Sequence, residues 1–344
     1  MVFDLIQKIR PIRCISRIVV SSNNLQFLEK TASLDGRVIP DVMGESRDFS
    51  FGVWLQERVR RYRPEKLFYW GAGASPFVTG EIIEGICASL LDGNDVLYTN
   101  NFFSSDWVAF TPAGAVLEME PPPLDNNLAY SLWQQKSLRS IYVAPAFEIC
   151  GDLDTPADLL VLAEHPSTGP AVGEYIASLG LDTSRVKAMA GLLKGRNRIF
   201  LAGRVGSSLF SYLDGNCPCS FRIISEERGM RSFGRMERRE VKSILGLLLE
   251  QGGIENFFAF LEAAADGAFI DTRVCFAHVR GSVSTCDRFY SDLLMHEKIK
   301  DPFARELTRA AGRSRIPVLM GGHSLISGGL WAMVQAYARM PSFY

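Results

Sequence analysis

The chain has 344 residues, 47% of them apolar, which is enough for one large core or two ordinary ones. Lys and Arg number 37 against 38 Asp and Glu, and the resulting net charge of −1 excludes a general nucleic-acid binder and an acidic tail. Seven cysteines without framework spacing, no signal-peptide core and no apolar run of about eighteen residues predict a reducing, cytoplasmic setting with neither nucleic acid nor membrane as partner.

The spacing of residues 2–10 predicts a helix that ends at Pro11, and CISRIVVSS then reads as a buried, β-branched strand. NNLQFLEKTA and FGVWLQERVRRY read as helices, EKLFYWGAGASP as a strand running into a small-residue loop, and TGEIIEGICASLL as the next helix. DVLYTN, WVAFTP and AVLEME are short strand candidates that predict an antiparallel insertion around residues 96–119. NNLAYSLWQQKSLRS is a helix and IYVAPAF a strand. Strands alternating with helices predict an α/β sheet. A domain boundary is expected between residues 165 and 200, with a helical linker over 166–194 and a second α/β domain over 195–344.

GDLDTPADLL, residues 151–160, predicts a strand end, a sharp corner and a helix. Thr155 suits the N-cap, Pro156 the first helical position, and Asp158 the acidic member of a capping box. Asp152 and Asp154, two apart, share a face in an extended chain. They either turn the corner or offer oxygen ligands to Mg²⁺ beside a nucleotide phosphate.

A strand, then DxDTPxDL, then a helix resembles the closing motif of the nucleotidyltransferases of the molybdenum-cofactor guanylyltransferase and phospholactate guanylyltransferase type. GAGASPFVTGEII at 71–83 resembles their middle motif, and MVFDLIQKIRPIRCISRIVV the helix and strand after their first loop. The resemblance covers residues 1–165. It implies a Rossmann-like mixed sheet of nucleotide-diphospho-sugar transferase type, Mg²⁺, and transfer of a nucleotidyl group from an NTP to a phosphorylated acceptor with release of pyrophosphate. It further implies Asp152 and Asp154 as metal ligands, and Asp154 as a catalytic residue. The sequence departs from the family at two points. Ala74 stands where the family has a metal-binding aspartate. The chain begins just after the position of the family's first phosphate loop, which implies either an upstream segment or a domain without that loop. In GAGASP, Gly73 and Ser75 present backbone to a ribose or sugar, or simply make a tight strand-to-helix turn.

Four segments of the second part carry polar chemistry. GRVGSS, residues 203–208, either exposes backbone N–H groups to a phosphate with Arg204 adding charge, or turns into a helix. SEERGMRSFGR, residues 225–235, is either a solvated salt-bridged loop or an arginine clamp in which Arg228 and Arg231 hold phosphate oxygens. AFIDTRVCFAH reads as a strand with Asp271, Arg273 and Cys275 on one face, which lines either an interface or a cleft where Arg273 contacts a ligand. With His278 beyond the strand end and Asp287 and Asp292 after it, an Asp, His, Asp set could bind a metal or do acid–base work. GGHSLISGG, residues 321–329, places His323 in a glycine-rich turn as an acid–base group or phosphate ligand. Ser324 beside it lacks nucleophile-elbow spacing.

Three readings of function follow. One is a nucleotidyltransferase-like enzyme. Another is a degenerate transferase domain that binds a nucleotide or sugar phosphate without turnover, joined to a second ligand-binding or enzymatic domain. The third is a structural or assembly protein that self-associates through FFAFLEAAADG and the C-terminal helix. The partner in the first two is a nucleotide or phosphorylated small molecule, and a homo-oligomer is compatible with all three.

Overall fold

The computed structural model describes residues 1–44, 49–143, 146–227, 230 and 234–338. It has two compact units, Met1–Cys150 with Gly169–Val172, and Gly151–Thr168 with Gly173–Tyr344. Both are α/β, and the architecture is Rossmann-like in the general sense, with parallel and antiparallel pairings. Among the described residues no single helix is long and apolar enough to cross a membrane.

The first unit begins with α1 (Val2–Ile9), β1 (Ile18–Ser22), α2 (Leu25–Ala32), β2 (Val38–Val42) and α3 (Phe51–Tyr62). β3 (Leu67–Trp70), α4 (Gly80–Asp92), β4 (Val96–Thr99), β5 (Trp107–Thr111), α5 (Leu128–Lys136), β6 (Arg139–Tyr142) and the single turn α6 (Phe147–Cys150) follow. β1 and β2 form a parallel pair. The larger sheet has the order β3-β5-β4-β6, with β5 antiparallel to both neighbours and β4 parallel to β6. β5 is the antiparallel strand anticipated around residues 96–119. All five of its residues are buried, because both of its edges are paired and both faces are covered. Phe110 lies in the core with Leu97, Val108 and Leu132, and burial of such a side chain contributes about 1.5–3 kcal/mol.

Two strand expectations in this unit are corrected. AVLEME forms part of a 3-10 turn, Ala113–Glu118. The buried Gln56 amide donates to the carbonyls of Val116 and Met119 (2.8 and 3.0 Å), so those acceptors are satisfied without a sheet partner. The strand expected at IYVAPAF lies earlier, at Arg139–Tyr142, and residues 147–150 are helical. Asp4 is buried and caps the start of α8 (Pro170–Ser178): its two carboxylate oxygens accept from the N–H groups of Ala171 and Val172 at 3.1 Å each. Gly169 is required there, since a Cβ would stand 2.5 Å from the Asp4 Cγ.

The second unit takes in α7 (Pro156–Glu164), α9 (Ser184–Leu193), β7 (Arg198–Gly203), α10 (Ser207–Asn216) and β8 (Ser220–Ser225). It continues through α11 (Ile244–Gly252), α12 (Ile254–Ala264), β9 (Gly267–Asp271), α13 (Arg273–Arg280), α14 (Thr285–Asp292), α15 (Pro302–Arg313), β10 (Val318–Gly321) and α16 (Leu330–Tyr337). Its sheet is wholly parallel in the order β8-β7-β9-β10. Along β9 every residue is buried, as a central parallel strand requires. Ala202, Ala268, Ile270 and Met320 on one face pack with Leu245, Phe258, Phe276 and Leu307 from α11, α12, α13 and α15.

AFIDTRVCFAH is not one strand. β9 stops at Asp271 and α13 starts at Arg273, because the Asp271 carboxylate accepts the Arg273 N–H (3.1 Å) and turns the chain. Arg273 and Cys275 are therefore helical residues, and the strand alternation that put them on a face with Asp271 does not apply.

Candidate functional site

The carboxyl ends of β7, β9 and β10 carry several of the second unit's buried polar side chains, among them Asp271, Thr272 and Ser324. The strand order makes this the place to look. From β7 the chain passes through α10 to β8 on one side, then returns to β9 on the other, so β7 and β9 flank a topological switch point. Ligands of open α/β sheets lie in the crevice outside such a point.

β7 ends at Gly203, with φ +126°, where a Cβ would stand 2.4 Å from the Asp271 Cβ. Only glycine lets β7 and β9 approach so closely at their ends. Arg204 follows and turns back on Asp271, its Nε and Nη2 donating to the two carboxylate oxygens at 2.6 and 3.2 Å. The Asp271 carboxylate is fully enclosed. Burial pushes its carboxyl up, but the charge and hydrogen bonds of Arg204 and the Arg273 N–H outweigh that push and hold it below the ordinary range, with His323 contributing. Three residues beyond Arg204, α10 begins at an exposed Ser207–Ser208 pair, and no side chain caps its first turn. A helix start of this kind presents backbone N–H groups and the positive end of the helix dipole.

Arg273, at the start of α13, is held by a bidentate pair with Asp292, Nη1 to Oδ1 at 2.9 Å and Nη2 to Oδ2 at 2.6 Å. Burial raises the Asp292 carboxyl to about 6 against the pull of Arg273. β10 ends at Gly321, and Gly322 follows; both pack against α7 and its entry, where a Cβ on Gly321 would meet the Ala157 Cβ and one on Gly322 the Thr155 methyl, each at 2.9 Å. Next comes His323, whose carbonyl accepts from Ser327 Oγ (2.7 Å) and whose charge, when present, favours ionised Asp271. Ser324 is buried, and its Oγ donates to Asp158 Oδ2 at 2.7 Å.

Asp158 is the most crowded carboxylate of the group. Its Oδ2 accepts from Ser324 Oγ, Thr155 N (2.8 Å), Thr155 Oγ1 (3.0 Å) and Asp154 N (3.1 Å). Burial still raises it to about 7, the hydrogen bonds opposing. Asp158, Asp271 and Asp292 thus stand with Arg204, Arg273 and His323 at one end of one sheet, and the charge of Arg273 responds to all three carboxylates. Arg204 lies between Asp271 and the exposed start of α10, and burial moves the Asp158 carboxyl up from the ordinary carboxylate range.

Of the residues singled out from sequence, Arg204, Arg273 and His323 come together here. Asp152 and Asp154 sit at the entry to α7, Asp154 exposed and immediately before the N-cap Thr155. Gly73 and Ser75 belong to the first unit, where Ser75 is buried at φ +49° and its Oγ donates to the Ile149 carbonyl at 3.0 Å. Ala74 beside it is buried among Ile86, Trp107 and Ile149. Arg228 and Arg231 lie outside the described residues. Their neighbour Glu226 is buried and accepts from Ser243 Oγ (2.7 Å) and Leu245 N (3.0 Å) at the start of α11. Among the described residues no group of three or more His, Cys, Asp or Glu side chains is placed to hold a metal ion. Sequence reading gave Asp158 only its capping role, and it offered Asp292 as one of the acids near His278 for metal binding or acid–base work, not as the partner of Arg273. No local signal could have linked Asp158 to Ser324, which lie 166 residues apart.

No protein-family model matches the chain, and the curated proteins include none similar to it in sequence.

Proposed function

We propose that the second unit binds a phosphorylated small molecule, with a nucleotide as the leading class, at the carboxyl edge of its parallel sheet. The observation that carries this reading is the coincidence of the β7–β9 switch point with Arg204 and the uncapped first turn of α10. Phosphate oxygens complement both a helix amino end and a guanidinium. Asp271 would act by aiming Arg204, since a carboxylate that holds two of its nitrogens fixes the plane of the fork. His323, in the turn after β10, would be the group that takes or gives a proton to a bound phosphate ester.

Nucleotidyl transfer, with the nucleotide-diphospho-sugar transferase type of fold and Mg²⁺ at Asp152 and Asp154, belongs to the same proposal as its more specific form. The Thr155–Asp158 corner supports the motif that suggested it. Two carboxylates without a third would hold Mg²⁺ only with phosphate and water oxygens completing the shell.

The test is calorimetric titration with ATP, GTP, ADP and inorganic pyrophosphate, with and without Mg²⁺, on the whole chain and on Ser207→Asp. Ser207 is exposed, and an acidic residue in the first turn favours the helix while repelling an anion. Binding that weakens at least tenfold in the variant is expected. If none of these ligands binds, or if the variant binds them equally well, the reading fails. Release of pyrophosphate when a phosphorylated acceptor is added would extend binding to transfer.

A further inference from the structure

We infer that a cavity of about 300 Å³ in the second unit, enclosed by α7, α9, α14, α15 and β10, binds a small amphipathic anion, namely a carboxylate on an aliphatic body. This inference does not rest on the phosphate reading above, and of the residues grouped there only Asp292 also lines the cavity.

The wall of the cavity is apolar where it meets the sheet: Leu160, Val186, Leu319 and Leu325 line it, all buried in the fold. Its mouth is cationic, with Arg185, Arg309 and Arg313. Arg309 is answered by Glu255 and Glu306 at 3.1 and 3.6 Å. Arg185 is different. Its Nη1 and Nη2 donate to the carbonyls of Ala311 and Gly312 (3.3 and 2.5 Å) at the end of α15, which fixes the guanidinium and satisfies those N–H groups. Carbonyl oxygens do not cancel its charge, and among the described residues Arg185 and Arg313 make no ion pair. Burial makes the Arg185 charge less favourable than in water, and the field of Asp182 only partly offsets that cost.

The acidic groups of the lining do not restore the balance. Asp292 is already held by Arg273 through both oxygens and Arg309 is answered by Glu255 and Glu306, which leaves Asp182 as the acid facing Arg185. A cationic or neutral guest would leave Arg185 offset by Asp182 alone, whereas a carboxylate beside it would complete the compensation. A bare inorganic anion would leave the leucine wall wet. A guest with an anionic head and an aliphatic body satisfies both parts, in keeping with binding pockets that are largely apolar with a few fixed polar groups.

The probe is octanoate, titrated calorimetrically into the full chain, with octylammonium and acetate as partners that lack the right charge or the apolar body. One octanoate per chain is expected, with both controls at least tenfold weaker. Leu160→Trp, which fills the cavity, is expected to abolish binding. Arg313→Glu, an exposed change in the lining, is expected to weaken binding at least threefold and to lower the melting temperature only slightly, since it reverses the basic residue of the last turn of α15 but leaves the core intact. Failure of octanoate to bind, equal binding of octylammonium, or indifference to Arg313→Glu overturns the inference. If Leu160→Trp loses its cooperative melt, Arg313→Glu decides alone.

Discussion

At the scale of single residues, Asp158 links the helix cap to the end of the sheet. Its Oδ2 takes the Thr155 N–H as a capping-box acid should, and the same oxygen takes the Ser324 hydroxyl from the turn after β10. The first bond was legible, because Thr155, Pro156 and Asp158 stand at capping-box spacing and need only their immediate neighbours. The second was not, because it depends on where β10 lies. The consequence is a pH dependence of stability. With its carboxyl raised from the ordinary 3.8 to about 7, folded Asp158 binds a proton that the unfolded chain has already released. This contribution is fully present below the unfolded value and is lost as pH rises towards and through the folded one, at up to about 1.4 kcal/mol per pH unit in the window. Asp292, raised to about 6, acts in the same direction. Buried His165, held below its ordinary value, acts the other way, so the test is a difference: between pH 5 and 8 the melting temperature of the wild type should drop more with rising pH than that of Asp158→Asn. Equal slopes in the two proteins would remove Asp158 as a source.

At the scale of elements, the junction of β7 and β9 positions the candidate site. Gly203 sits at φ +126° in contact with the Asp271 side chain, and the amide of Glu226 donates to its carbonyl at 2.6 Å. Gly203→Ala would meet both an unfavourable backbone region and a collision with the Asp271 Cβ, which, unlike the nearby Ile326 Cδ1, is not the free end of a flexible side chain. The expected destabilisation is on the order of 2–4 kcal/mol, read from urea denaturation. A change under about 1 kcal/mol would mean that the strands part easily there, and that the Arg204–Asp271 pair does not depend on their approach. The sequence did show GRVGSS as a glycine turn after an apolar strand, since hydrophobic run and glycine are local signals. It misled at AFIDTRVCFAH, where β-branched and aromatic residues continue past the true strand end. The break is made by the Asp271 carboxylate taking the Arg273 N–H, and a side-chain bond of that kind leaves no mark on periodicity.

At the scale of the whole molecule, alternating helices and strands announced two α/β halves, yet the path between them could not be read from composition. The chain passes from the first unit to the second after Cys150, returns for Gly169–Val172, and leaves again at Gly173. That brief return is anchored by Asp4, which accepts two backbone N–H groups of the segment. Such a path makes the protein a ready-made split pair. Residues 1–150 and 151–344, expressed as separate polypeptides in one cell, should copurify, because the longer piece carries a hook that completes the shorter. Asp4→Ala in the shorter piece should reduce the yield of the pair severalfold while leaving each piece expressed. Recovery unchanged by that substitution would show that the hook is not what reunites them. Where Asp4 does hold, the break between the two genes would be bridged by one carboxylate and four residues of borrowed chain.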